Sequence, residues 1–203
     1  PSTVMDVLDD DPIDIAVPSS EVAILRHAMP FNEQLILFSD KIQFAVSSGG
    51  NVFSPKNVSV DITTRFEVDR QCPPIGLGPN IYFTVPKGNS TTVREYYVQS
   101  DSVSNDAHDV TVHVPTYVES DINLMVGSSG MDYLICGKTG ESNLYVYKFH
   151  WDGEKKVQSA WGKWTMPYNI IGLAVSQNTL YIVGANSTDV FLEKMNMEQR
   201  AVG

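Results

Sequence analysis

The stretch from Leu144 to Met166, LYVYKFHWDGEKKVQSAWGKWTM, decides how the chain reads. It is two runs of alternating side chains around Asp152-Gly153, a dipeptide that favours a tight hairpin because Gly accepts positive φ at no steric cost. Alternation puts Tyr145, Tyr147, Phe149 and Trp151 on one face of the first strand and Leu144, Val146, Lys148 and His150 on the other. On the second strand it groups Val157, Ser159, Trp161, Lys163 and Thr165 against Gln158, Ala160, Gly162, Trp164 and Met166. Trp161 and Trp164 therefore point to opposite sides. A stacking platform for a sugar or base needs coplanar rings on one side, whereas a sheet buried on both faces needs large flat residues on each. The second requirement is met, so the tryptophans read as packing groups.

The same pattern recurs outward from this hairpin. Strongly alternating strands begin near Leu35, Ile81, Tyr133 and Leu180, each closed by a turn: SDK, PKGNS, GKTGES and GANST. Each follows a shorter apolar strand, at Ala23 to Leu25, Ile75 to Leu77, Ile122 to Met125 and Ile170 to Ala174. A third strand follows at Ile42 to Val46, Val93 to Val98, Leu144 to Phe149 and Val190 to Leu192. A fourth is expected at Val58 to Phe66, Val110 to Val114 and Val157 to Thr165. Residues 21–29, EVAILRHAM, come closest to helical periodicity, but the run is short and Pro30 follows it. A period near fifty residues with about four short strands is the signature of propeller blades. The expected fold is therefore all-β, a partial β-propeller of about four blades near residues 22–70, 71–118, 119–167 and 168–203, preceded by an acidic lead segment over 1–21. The competing reading is an irregular β-sandwich or barrel.

The 203 residues carry a net charge of −10, and 42% of them are hydrophobic. That is the composition of a folded chain able to bury a core. The acidity is concentrated at the start, where Asp6, Asp9, Asp10, Asp11, Asp14 and Glu21 stand without a single Lys or Arg. No basic patch exists to grip nucleic acid, although an acidic wall suits a channel through which DNA must slide. No apolar run is long enough to span a bilayer, and no leader pattern opens the chain. Cys72 and Cys136 stand apart from any paired motif and read as buried free thiols.

No catalytic, cofactor or metal motif is complete. GKTGES at 137–142 has Asp132 where a phosphate-binding loop needs Gly, and a strand follows it instead of a helix. GLGPNI at 76–81 ends on Ile81 where a dinucleotide fingerprint needs its third Gly. GSSG at 127–130 is one residue short of a nucleophile elbow. His27, His108, His113 and His150 are scattered, and His108 and His113 would face opposite ways on one strand. DDDP at 9–12 lacks the Gly and distal Glu of a calcium loop. Glu95 and Asp101 form a carboxylate pair only if the fold brings them to a glycosidase spacing. The expectation is no site residues, no metal and no cofactor.

Four segments together resemble a known family. DDDPIDIAV (9–17), AILRHAMPFNEQLILFSDKIQFAV (23–46), REYYVQSDSVSNDAHDVTVHVP (94–115) and YVYKFHWDGEKKVQSAWGKW (145–164) are similar, in order, to the tail tubular protein B family, the nozzle proteins of short-tailed, podovirus-type bacteriophages. The resemblance covers the chain from about Asp9 to the last strand and carries no individual functional residue. It implies a hexameric ring at the end of the tail tube, with a propeller-like domain in each subunit. The ring would dock on the tail tubular protein A adaptor, seat the tail fibres and gate the DNA channel. It also implies a virion protein assembled in the host cytoplasm, and a parent chain much longer than this one, of which the Pro1 start and unclosed repeat would mark an internal part.

The alternative is a tail module that binds or degrades polysaccharide at the host surface. It would need a cleft with two opposed carboxylates, or an exposed Trp151 with an aromatic neighbour. A kelch-like interaction module is a third reading, but its repeat signatures are missing.

Overall fold

The computed structural model describes residues 22–49, 53–99, 104–153 and 155–198. The acidic run at 1–21, including DDDP, and Asp101 lie outside them. Fifteen strands and no helix are found among the described residues. They form four antiparallel sheets in strict chain order. The first holds β1 (Leu25–Phe31), β2 (Gln34–Ser39), β3 (Gln43–Ser48) and β4 (Val58–Thr64). The second holds β5 (Ile75–Leu77), β6 (Asn80–Lys87), β7 (Ser90–Gln99) and β8 (Ser104–Asp109). The third holds β9 (Leu124–Ser128), β10 (Tyr133–Gly137), β11 (Asn143–Asp152) and β12 (Lys155–Thr165). The fourth has three strands, β13 (Asn169–Ser176), β14 (Thr179–Ala185) and β15 (Val190–Asn196). The all-β expectation and the recurrent meander hold; no closed ring or barrel forms among the described residues.

The sheets stack in sequence. β4 meets β8 and β1 meets β6, β5 meets β9, and β9 meets β13. Three seams result, each filled by the alternating side chains of the sheets that flank it. Ile36 and Phe38 meet Phe83 and Tyr96 in the first. Leu77 and Tyr82 meet Leu134, Tyr147 and Phe149 in the second. Ile135, Leu144 and Val146 meet Ile170, Leu180 and Ile182 in the third. A sheet buried on both faces cannot stand alone, which is why the repeat stacks. Gly127 lets two sheets close up: a Cβ there would lie 2.7 Å from the Leu77 side chain and 2.7 Å from the Tyr133 carbonyl oxygen.

Two segments differ from expectation. The first strand, expected over Ala23 to Leu25, is Leu25–Phe31. Pro30 is tolerated because β1 is an edge strand, where a missing amide donor leaves no ladder partner unpaired. The fourth strand of the second sheet is Ser104–Asp109, and Val110 to Val114 is not a strand. Asp109 ends it: its carboxylate accepts from the Thr111 amide at 2.7 Å and the Thr111 hydroxyl at 2.6 Å, and the local turn outcompetes the ladder. His113 thus lies beyond the strand that carries His108, so the two never shared one.

The β1–β2 turn is also unusual. Phe31 pairs with Gln34, leaving Asn32 and Glu33 as a two-residue loop with φ of 46° and 62°. Such turns ordinarily put Gly in the second place. A side chain there costs on the order of 1 kcal/mol.

Candidate functional site

The strongest concentration of chemistry lies in the second seam and the cleft above it. Trp161 projects from β12 towards the second sheet, where its indole N–H donates to the Val110 carbonyl at 2.8 Å. Its ring lies 5.0 Å from that of Tyr147 at 30°. Trp164 points the other way and packs in the third seam. Both are packing groups, as their alternation implied.

Beside Trp161 sits a buried polar network. Glu95 on β7 is 3% exposed. Its carboxylate accepts from the Tyr82 hydroxyl, from the Asn80 amide at 2.9 Å, and from Lys156 Nζ at 2.5 Å. Lys156 also donates to the Tyr147 hydroxyl at 3.2 Å, which bonds Ser159 at 3.0 Å. Burial, reinforced by the Glu95 charge, pushes the Tyr82 phenol far above its ordinary value, so it stays a donor. This ion pair joins the second sheet to the third. Strict alternation would have placed Lys156 on the opposite face. A register shift between His150 and Trp151 sets Lys156 opposite Trp151 and leaves Val157 outward, 52% exposed. The expectation that Val157 shares the Trp161 face is therefore corrected.

Cys72 and Cys136 are free, buried and in this same seam. Burial pushes the Cys72 thiol up to about 12, assisted by the Asp69 charge. Cys136 is raised by burial as well. Neither thiol is poised as a nucleophile.

The rejected motifs have structural roles. In GKTGES, Gly140 donates its amide to the Ile170 carbonyl at 2.8 Å and the Ile170 amide returns to Glu141 at 2.8 Å, clamping the fourth sheet to the third. In GLGPNI, Gly78 opens the β5–β6 turn with φ of 59°. The histidines are not gathered: His150 contacts Asp132 at 2.9 Å at the surface, and His108 and His113 are exposed. No group of three metal-ligating side chains occurs among the described residues.

Above the seam, a cleft of about 1210 Å³ opens where the turns of the first three sheets converge. Trp151, Tyr97 and Phe53 supply its aromatic surface, and the Asn32-Glu33 turn with Gln34 supplies its polar rim. Lys156 Nζ sits 4.9 Å from the Trp151 ring centre, holding it from beneath by a cation–π contact. No sequence motif announced this cleft, because its walls come from turns in three separate repeats.

Comparison with known proteins gives the architecture its context. The model of the bacteriophage nozzle protein family matches residues 1–203, the whole chain. The chain belongs to the bacteriophage nozzle protein family. It is 33% identical over 206 residues to the tail tubular protein gp12 of Escherichia phage T7, with all of this chain and 26% of that protein covered. The chain thus spans about a quarter of the length of that relative. The family is one of structural tail proteins.

Proposed function

We propose that this chain is a wall segment of a tail nozzle, part of a hexameric conduit through which DNA is ejected. Its four sheets are read as consecutive blades of a partial propeller, near 22–70, 71–118, 119–167 and 168–203, that other parts of the protein complete. The reading rests on one observation above all: four meanders stack in chain order through three filled seams. The contacts of β5 with β9 and β9 with β13 support it, because the first strands of successive blades are the ones that converge on a propeller axis. The net charge of −10 favours passage of DNA over its capture. The tail tubular protein A adaptor and the tail fibres are the proposed partners, and the host cytoplasm the proposed place of assembly. The role requires no catalysis.

Electron microscopy of the full nozzle protein mixed with its adaptor tests this. A six-fold ring with an axial opening, docked on the adaptor, is the expected result. A monomer that ignores the adaptor would overturn it.

A further inference from the structure

We propose that the cleft formed by the turns of the first three sheets binds a neutral oligosaccharide. This goes beyond the conduit role and does not depend on it, since a subunit could line a channel with this cleft empty. Three observations converge. First, the surface is aromatic: Trp151, Tyr97 and the half-exposed Phe53 offer flat faces for the C–H faces of a sugar ring. The indole of Trp151 is fixed in place by Lys156. Second, the Asn32-Glu33-Gln34 rim brings two amides and a carboxylate. Amides both donate and accept, and a carboxylate accepts only. Hydroxyls satisfy both kinds of partner. A polyproline peptide offers only carbonyls, which a carboxylate repels, and an anionic ligand finds no Lys or Arg among the described lining residues. Third, the rim is held at a conformational cost. Glu33 has φ of 62° at a turn position that Gly would fill without strain. A strained residue whose side chain lines a cleft is where a fold gives up stability for a contact.

The last point makes the proposal separable from a packing role. Glu33→Gly should raise the melting temperature of the full nozzle protein. It should also weaken sugar binding at least tenfold, whereas a purely structural turn would gain stability and lose nothing. Saturation-transfer NMR with gluco-, galacto- and manno-hexaose, followed by calorimetry, provides the readout. At least one hexaose should bind with a Kd of order 1 mM, the range open to one stacking surface and a few hydrogen bonds. Trp151→Ala should abolish the transfer, and Glu33→Gly should reduce it without unfolding the protein. The proposal is overturned if no hexaose shows transfer at about 10 mM, if Glu33→Gly leaves affinity unchanged, or if decaproline occupies the cleft in place of the sugars. Failure here leaves the ring and its adaptor untouched, so the two readings fall separately.

Discussion

The second and third seams share one sheet and are built by opposite means. Both draw on β10 and β11, whose alternating side chains send Tyr145, Tyr147 and Phe149 one way and Leu144 and Val146 the other. The second seam buries an ion pair, several phenols, two thiols and an indole hydrogen bond. The third is filled largely by aliphatic side chains together with Tyr133, Trp164 and Tyr168, with Met131, Met166, Met195 and Met197 around them. Polar groups in a dry seam have one satisfactory arrangement, so they fix which sheet docks and in what register. Methionine is flexible and fills irregular gaps, so the third seam tolerates adjustment. One strand pair thus provides a rigid joint on one face and a compliant one on the other.

The largest expected effect comes from breaking the ion pair. Lys156→Ala leaves Glu95 buried without its cation, and should cost about 3–5 kcal/mol in denaturant melts. Replacing both partners, Glu95→Gln with Lys156→Met, should recover much of that loss, because no uncompensated charge remains. A single-mutant cost below about 1 kcal/mol would show that the pair behaves like a surface salt bridge, and the contrast between seams would collapse.

The tryptophans sharpen the comparison next. Trp161→Ala and Trp164→Ala should each destabilise by about 3 kcal/mol or more, since each removes a large ring from its own seam. Trp161→Ala should cost more, because it also strands the Val110 carbonyl that the indole now satisfies. Equal melting of the two mutants would remove the distinction, and unchanged melting of both would remove the packing assignment itself.

Much of this was legible from alternation alone. Leu144 to Met166 carried the hairpin, the split between Trp161 and Trp164, and the logic of two buried faces. The repeat followed because each meander reuses the same turn chemistry. What stayed hidden depends on departures from period two. Lys156 enters the second seam only because the register shifts beside Trp151, and a side-chain pattern does not reveal an extra residue in one strand. Val110 to Val114 looked like a strand because its valines alternate, yet the Asp109 carboxylate captures the backbone first. Glu95 could not be promoted because its partners come from two other strands, Asn80 and Tyr82 from β6 and Lys156 from β12, which lies in the next repeat. The cleft is subject to the same difficulty, with walls gathered from turns far apart in the chain.

The gentlest test is alkaline titration. The Cys72 thiol has an ordinary value of 9.0 and is pushed up to about 12 in the fold, mainly by burial. A group raised on folding contributes its full stability below the unfolded value and loses it as pH climbs to the folded one. Between pH 9 and 12 the unfolded chain releases a proton that the folded chain keeps. Stability should then fall by about 1.4 kcal/mol per pH unit for this thiol. Tyrosines in both seams add their own slopes above pH 10, so the absolute fall does not identify the group. The difference between the parent protein and Cys72→Ala does. The variant should melt with a shallower pH dependence over that window, and its curve should run parallel to the parent's below pH 8. Parallel curves throughout would mean that Cys72 reaches solvent readily, and that the second seam is as compliant as the third.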